Sequence, residues 1–336
     1  MIKHHHVLAA VIAGTQAAVS PDDTMEKRYV IGIDAGGTKV AYGLFDENNK
    51  IIDRVQHKTD ADTDGPEFSD TLVRQIKALM KKNILTFDHL KGIGIGMPSF
   101  IQRDTGYVFM TSAMPRIKDF AMRDYLEAYL PVHVVLDNDA NAAAIAEYRH
   151  GAGRGTRHMV YVVIGTGFGS GLIIDGKVFS GSYGAAGECG HALATPDKGL
   201  MCGCENRGCF MSHIAGKHLP ERVKMGLEKG IRSILTPEKA DGKLLLKAYE
   251  EGDPLALEQI EHMAHYIALC VFNLYQVLNI DTFVFGGGLT GLGDALFDRV
   301  RKEFDRYYHI TFPVHFKMAE LKEDIGIIGA AEFLEN

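Results

Sequence analysis

The stretch at residues 29–59, YVIGIDAGGTKVAYGLFDENNKIIDRVQHKT, decides the fold. Apolar and β-branched residues dominate 29–34, 40–45 and 51–56, and glycine-rich or polar turns separate them, which predicts three consecutive strands. The glycine turn therefore joins a strand to a strand. Phosphate loops of the dinucleotide-binding and Walker types join a strand to a helix with other glycine spacings, so this turn belongs to neither type.

The same arrangement recurs at 158–181, HMVYVVIGTGFGSGLIIDGKVFSG, as strand, glycine turn, strand, hairpin and strand. The repeat predicts an internal duplication in an α/β protein, with a small first lobe at 29–145 and a larger second lobe at 146–336. Apolar spacing and turn residues predict the other main elements, which are helices at 69–82, 254–278 and 326–334, strands at 91–98 and 281–289, and a strand followed by a helix within 133–151. The last helix is expected to cross back to the first lobe.

Composition excludes two classes of function. The 336 residues include 36 Lys and Arg against 43 Asp and Glu, a net charge of -7 without a basic stripe, which argues against nucleic-acid binding. No run reaches the roughly 18 apolar residues of a membrane span, and we expect a cytoplasmic protein. Residues 1–28 form an N-terminal extension, expected to be disordered. Its first 24 residues fit either a signal peptide or a tag or leader ahead of Met25, and the second interpretation is favoured because the strand pattern begins only at Tyr29.

Three glycine-rich segments follow predicted strands and are suited to binding anions. Glycine lets backbone amides approach a phosphate closely, and a neighbouring carboxylate can hold a metal ion beside it. Tight β-turns would explain each segment alone, but one such turn on each of two lobes suggests a nucleotide in the cleft between them. The candidate residues are Asp34, Gly36, Gly37, Thr38 and Lys39 in the first turn, Gly165, Thr166, Gly167 and Gly169 in the second, and Gly286 and Gly287 in the third.

The segment DNDA at 137–140 ends a predicted strand and begins a helix. A carboxylate at that point of the cleft can accept the proton of a hydroxyl nucleophile, which phosphoryl transfer requires. Asp139 is therefore the candidate general base. The alternative is that Asp139 only caps the helix.

These motifs together resemble the ROK family of sugar kinases and repressors, which have the two-lobed, ribonuclease H-like fold of actin-like ATPases. The resemblance covers nearly all of 29–334 and rests on GIDAGGTK, LDNDANAAAIAE, IGTGFGSGLIIDGKVFSG, GAAGECGH, CGCENRGC and FGGG. It implies that Asp139 is the catalytic base and that Asn138, Glu188 and His191 line the sugar. It also implies that the first two turns hold the phosphates of ATP with Mg²⁺, that Gly286 and Gly287 face adenosine, and that the protein is a homodimer.

The resemblance further implies a zinc ion bound by His191, Cys202, Cys204 and Cys209. The spacing H-x10-C-x-C-x4-C supports this, because one imidazole and three thiolates form a closed set typical of structural Zn²⁺. Such a site would anchor the loop that carries Glu188. One alternative is that these are free cysteines in a loop. The other is a redox site, which the absence of a C-x-x-C motif argues against. Cys189 is a less favoured ligand, and Cys270 is expected in the core.

The sequence departs from the family pattern at three positions. Met211 stands where a sugar-contacting glutamate is expected, Ala215 where a serine is expected, and Ala113 where many members have an asparagine. A buried hydroxyl without a partner costs roughly 1–3 kcal/mol, so plain glucose is not the expected substrate. A deoxy sugar, an epimer or a sugar with an apolar substituent fits better, with Met211 as part of the sugar site. Alternatively, Ser212, His213 or Arg116 supplies the missing contacts.

Three functional hypotheses remain. The first is an ATP-dependent sugar kinase that phosphorylates a hexose or hexose derivative on a primary hydroxyl, O6. The second is a non-catalytic sugar sensor or pseudokinase, suggested by the substitutions at 113, 211 and 215, although Asp34, Lys39, Asp139 and Glu188 are intact. The third is a ROK-type transcriptional repressor, which the 28 residues before Tyr29 do not favour because they contain no basic recognition helix.

Overall fold

The computed structural model describes residues 28–309 and 312–335, so the predictions for residues 1–24 and for nearly all of the 1–28 extension lie outside the described residues. The strands are β1 Tyr29–Ala35, β2 Lys39–Phe45, β3 Ile51–Lys58, β4 Leu90–Met97, β5 Ser99–Gln102, β6 Tyr107–Thr111, β7 Lys118–Ala121, β8 Val134–Asn138, β9 Met159–Ile164, β10 Phe168–Ile174, β11 Lys177–Val178, β12 Thr282–Gly286 and β13 His315–Met318. The helices are α1 Gly65–Lys82, α2 Met122–Tyr129, α3 Asp139–His150, α4 Phe210–Ile214, α5 Leu219–Glu228, α6 Gly242–Glu250, α7 Pro254–Leu278, α8 Asp294–Tyr307 and α9 Ile325–Glu332.

Two five-stranded sheets repeat one topology. The first has the order β3-β2-β1-β4-β8 and the second β11-β10-β9-β12-β13. In each sheet the first three strands in the chain are antiparallel neighbours, and the two later strands are added parallel to the first. The duplication expected from the two glycine turns is therefore present in the topology. Each glycine turn connects the central antiparallel pair of its sheet.

The structure also contains elements that the sequence analysis did not predict. A third sheet, β5-β6-β7, follows β4, and helices α5, α6 and α8 add to the second lobe. Helix α1 begins four residues before the predicted start. The reason is a capping box, in which Asp64 and Glu67 each accept a hydrogen bond from the other's backbone N–H, with Pro66 in the first turn.

Helices α3 and α9 pack where the two sheets meet. Helix α9 lies so close to the first sheet that a Cβ on Gly32 would be 2.0 Å from the Ile327 carbonyl oxygen, and one on Gly94 would be 1.7 Å from the Ala330 oxygen. A Cβ on Gly171 of β10 would lie 2.5 Å from the carbonyl oxygen of Ala140 in α3. These contacts explain why glycines interrupt otherwise apolar strands. The predicted lobe boundary at 145/146 falls inside α3.

Apolar residues of both sheets and their helices form the core. The largest cluster lies in the second lobe around α7, and a second lies between the first sheet and α1. Within the described part of the chain, no helix is both long and apolar enough to cross a membrane.

Candidate active site

A cleft of about 460 Å³ lies between the two sheets. Two carboxylates, Asp34 and Asp139, lie in its wall together with Gly286 and Gly287. Apolar side chains at and before the start of α9 complete that wall, among them Leu321 and Ile325. The cleft thus brings together three stretches that the sequence analysis selected separately: the end of β1, the start of α3 and the end of β12.

Asp139 is the first residue of α3, directly after strand β8. The N-cap is Asn138, whose side-chain oxygen accepts the Ala140 N–H at 2.7 Å, so the principal capping role belongs to the neighbouring residue. The Asp139 carboxylate reaches the cleft and also accepts the Ala140 N–H at 2.9 Å. Its enclosure by protein atoms, and then the nearby Asp34 carboxylate, raise the pKa of Asp139 to about 6.

Two further carboxylates interact with Asp139. Burial, with a smaller contribution from Asp139, raises the pKa of Glu188 to about 7. Burial also raises the pKa of Asp34, although Lys39 opposes the shift. Gly326, at the start of α9, has room for Asp34 only because it lacks a side chain, since a Cβ there would be 2.5 Å from the carboxylate. Asp34 and Asp139 line the cleft, and Glu188 is close enough to interact with Asp139. Such a group of acidic residues with raised pKa values is typical of a site that handles protons or metal ions.

The first glycine turn is held by its own backbone and by one threonine. The Gly36 N–H donates to the Lys39 carbonyl at 3.0 Å, and the Thr59 hydroxyl donates to the Gly36 carbonyl at 2.6 Å. Gly37, Thr38 and Lys39 are exposed. Ala113 lies beside the turn, because a Cβ on Gly37 would be 3.2 Å from the Ala113 Cβ. Ala113, one of the three residues that depart from the family pattern, therefore lies against the first candidate phosphate-binding turn.

The second glycine turn rests on the segment around α4. The Gly165 carbonyl accepts the Gly216 N–H at 2.8 Å, and the Thr166 carbonyl accepts the Lys217 N–H at 3.1 Å. Met211 supports the same turn, since its sulfur accepts the Phe168 N–H at 3.2 Å. Gly169 follows within β10. The residues that follow the cysteine-rich loop, which carries Cys189, Cys202, Cys204 and Cys209, therefore support this turn through hydrogen bonds.

Met211 is only 7% exposed and lies between two candidate segments. A Cβ on Gly167 of the phosphate turn would be 3.9 Å from its sulfur, and one on Gly190, between Glu188 and His191, would be 3.1 Å from its methyl carbon. Ala215 is fully buried. Met211 was predicted to lie beside the sugar, and in the structure it packs against both the 188–191 segment and the second glycine turn.

The three residues considered as substitute sugar contacts already have other partners. The Ser212 hydroxyl donates to the Cys209 carbonyl at 2.8 Å. His213 bonds Thr195 at 2.8 Å and His262 at 3.1 Å, which tethers the cysteine-rich loop to α7. The Arg116 guanidinium donates to the Asp62 carbonyl.

His191, Cys202, Cys204 and Cys209 converge as the spacing predicted. Their ligand atoms all lie within 4.8 Å of one another. His191 Nδ1 is 3.4 Å from the Cys202 sulfur, and the Cys204 and Cys209 sulfurs are 3.6 Å apart. Tetrahedral zinc with Zn–S bonds of about 2.3 Å places its ligand atoms roughly 3.5–4 Å apart, so the donor set and its dimensions fit zinc. The imidazole presents Nδ1 to the cluster, which leaves Nε2 on the other side of the ring.

A polar network that was not predicted from the sequence is centred on Asp137, directly before Asn138 and Asp139 in the chain. Asp137 is fully buried; it lies 3.4 Å from the Arg103 guanidinium and accepts the Asn138 N–H at 2.7 Å and the Ser180 hydroxyl at 3.2 Å. Ser180 comes from the loop that leads to Glu188, so the network connects both predicted sugar-lining segments. The sequence feature that could have indicated this network is Asp137, a carboxylate that follows three apolar residues in the strand VVLDN. Its partner Arg103 could not be identified, because it comes from the unpredicted third sheet.

Comparisons with known proteins agree over almost the whole chain. The glucokinase of Halalkalibacterium halodurans is 30% identical over 317 residues, covering 91% of this chain and 94% of that protein. The N-acetyl-D-glucosamine kinase of Aliivibrio salmonicida is 31% identical over 314 residues, covering 90% and 98%. The crystal structure of a ROK family glucokinase from Streptomyces griseus, in complex with glucose and AMPPNP, superposes with a TM-score of 0.72 at 28% identity and covers 91% of this chain and 98% of its own. Because the ROK family model also matches residues 30–336, the chain belongs to the ROK family.

Proposed function

We propose that the protein is an ATP-dependent sugar kinase that transfers a phosphoryl group to a primary hydroxyl, O6, of a hexose or hexose derivative. The observation that carries the proposal is the Asp139 carboxylate in the cleft, with a pKa raised to about 6 and with Asp34 and Glu188 close by. A base with a pKa near neutrality is ionised at physiological pH and still basic enough to accept a hydroxyl proton as the nucleophile attacks.

Each candidate residue has a distinct task in this reaction. Asp139 takes the proton of the hydroxyl, and Asn138, Glu188 and His191 orient the sugar. Asp34 would hold Mg²⁺ beside the phosphates, and the ion would supply charge neutralisation when bound. Backbone amides of the two glycine turns hold the phosphates, with Lys39 adding a positive charge. Gly286 and Gly287 allow the nucleoside to approach the backbone at the other end of the cleft.

Zinc in the four-residue cluster would have a structural role. All four tetrahedral positions are occupied by protein ligands, so none is open for substrate. The bound ion would fix both ends of the loop, His191 on one side and Cys209, the N-cap residue of α4, on the other. Because Glu188 lies three residues before His191 and α4 braces the second glycine turn, one ion supports both substrate subsites.

The sugar is proposed to be a hexose derivative rather than plain glucose. Ala113, Met211 and Ala215 replace the polar residues expected in the family pattern, and Ser212 and His213 are engaged elsewhere. Relatives of similar identity are named as kinases of different sugars, glucose and N-acetyl-D-glucosamine, so the named substrate differs among relatives of this chain. We further propose that the enzyme acts in the cytoplasm as a homodimer.

A turnover screen tests the proposal and separates it from the sensor alternative. Purified protein would be supplied with Mg-ATP and with aldohexoses, ketohexoses, deoxy sugars and N-acetylhexosamines, with ADP formation as the readout. We expect at least one sugar to be phosphorylated and Asp139→Asn to lower kcat by roughly 10²–10⁴ while sugar binding persists. Sugar binding without turnover of any sugar would support the sensor instead.

A further inference from the structure

A second cavity, of about 510 Å³, lies at the opposite end of the second sheet from the nucleotide cleft. It is formed by the loop that precedes β9, the start of β12 and strand β13. The glycine turns of the cleft follow the carboxyl ends of β9 and β12, whereas this cavity opens at their amino ends. With about 3.3 Å per strand residue, the two sites are roughly 15–20 Å apart. The volume falls in the range of small-molecule sites.

The lining of this cavity is basic in a chain of net charge -7. Arg154, Arg157, His158, His315 and Lys317 contribute nitrogen-bearing side chains, and Asp281 is the carboxylate among the lining residues. The two arginines form ion pairs with residues outside the lining, and these pairs are largely exposed. Exposed ion pairs are weak because water competes with them, so an incoming anion can also compete for the guanidinium groups.

Lys317 is the cation of the cavity that lacks a counter-charge. Its ammonium donates to the Ala152 carbonyl at 3.0 Å, and among the described residues it forms no ion pair with a carboxylate. The two guanidinium groups in exposed ion pairs, the two imidazoles and the Lys317 ammonium can all donate to the oxygens of a phosphate group, which accepts several charge-assisted hydrogen bonds.

A buried carboxylate connects this cavity to the nucleotide cleft. Glu147 of α3 is fully buried and accepts three backbone N–H groups: Ala152 at 2.8 Å, Glu320 at 3.2 Å and Leu321 at 2.7 Å. The backbone of Ala152 therefore binds both residues: its N–H donates to Glu147, and its carbonyl accepts from Lys317. Leu321 lines the nucleotide cleft. In addition, Arg154 forms an ion pair with Glu320 at 2.8 Å. Two cavity residues, Arg154 and Lys317, therefore contact segments that Glu147 holds in place beside the nucleotide cleft.

We propose that this basic cavity is a regulatory site for a phosphate-bearing small molecule, either a phosphate ester or free phosphate. A bound phosphate draws Lys317 from the Ala152 carbonyl and Arg154 from Glu320. The segment held by Glu147 then loses part of its support, and the nucleotide cleft binds ATP less tightly. The binding step is independent of the proposed kinase function, whereas its effect on ATP rests on that function.

Calorimetry tests the binding step without turnover. Inorganic phosphate and glucose 6-phosphate would be titrated separately into protein saturated with a non-hydrolysable ATP analogue, so that the phosphate positions of the cleft are filled. We expect one site per chain for at least one probe, and the stronger probe distinguishes free phosphate from an ester. Lys317→Met should weaken binding at least about tenfold, which corresponds to about 1.4 kcal/mol. Lys317→Arg should retain it.

Lys302→Met is the matched control, because it removes the same charge from an exposed position on α8 outside the cavity. An unchanged dissociation constant in Lys317→Met, or no detectable site for either probe at millimolar concentration, overturns the proposal. The coupling is measured as the KM for ATP with saturating probe, which should rise at least about fivefold in the wild type and stay constant in Lys317→Met. A KM that does not respond in the wild type refutes the coupling, and an inactive enzyme that still binds the probe refutes only the kinase function.

Discussion

The strongest test of the active-site assignment is the pH dependence of turnover. The pKa of Asp139 is raised to about 6, first by desolvation among the protein atoms that surround it in the cleft and then by Asp34. The base must be ionised to accept a proton, so activity is present above this pKa and is lost as pH falls through it. With a pKa of about 6, the ionised fraction of Asp139 falls from about 0.97 at pH 7.5 to about 0.09 at pH 5, a loss of about tenfold. An ordinary aspartate would lose less than about 10%.

Glu188 adds a second ionisation, because its pKa is raised to about 7. If its carboxylate form binds the sugar, the same pH change lowers activity by a further factor of about eighty. The substitution Glu188→Gln removes this contribution and isolates the tenfold loss due to Asp139. The two groups interact, so the wild-type profile reports the pair rather than either residue alone.

The assay is direct quantification of ADP by chromatography, which avoids pH-sensitive coupling enzymes. Both substrates are kept below their KM values, so that kcat/KM reports the free enzyme. Asp139→Asn should show a low rate whose acid limb reflects the ionisation of Glu188 alone. An activity in Glu188→Gln that stays constant between pH 7.5 and pH 5 would refute the assignment of Asp139 as a base with a raised pKa.

Three further predictions concern the metal site, the substrate and the fold. Cys204→Ser should lower zinc content by elemental analysis and lower the melting temperature, whereas a fully active wild-type protein without metal would contradict the zinc site. Met211→Glu should raise kcat/KM for glucose at least about tenfold relative to the native substrate, since a charge-assisted hydrogen bond contributes roughly 1.5–3 kcal/mol; an unchanged ranking of sugars in the turnover screen would place position 211 with the phosphate turn alone. Gly94→Ala should reduce the free energy of unfolding by at least about 3 kcal/mol in urea titrations, because the added methyl group meets the Ala330 carbonyl, whereas the control Gly291→Ala has open space and should change little.

Local patterns predicted much of the architecture because they act over short distances in the chain. Alternation and turn residues placed β1–β3 to within one or two residues and gave the order of β9–β11, since strand pairing across a tight turn depends on neighbours in sequence. The closed Cys3His spacing predicted four side chains that do converge. In contrast, β5-β6-β7 escaped prediction because its short strands carry weak patterns and are defined by pairing within that sheet.

The sequence by itself determined the duplicated α/β design, the candidate base Asp139 and the cysteine cluster, because residue type and spacing are sufficient to define them. Tertiary structure alone decided which groups face each other. The raised pKa of Asp139 depends on burial and on Asp34, which is more than a hundred residues away in the chain. The partners of Met211, Asp137 and Lys317 likewise come from distant segments. Electrostatic and packing energies depend on distances in space, and only the folded chain establishes those distances.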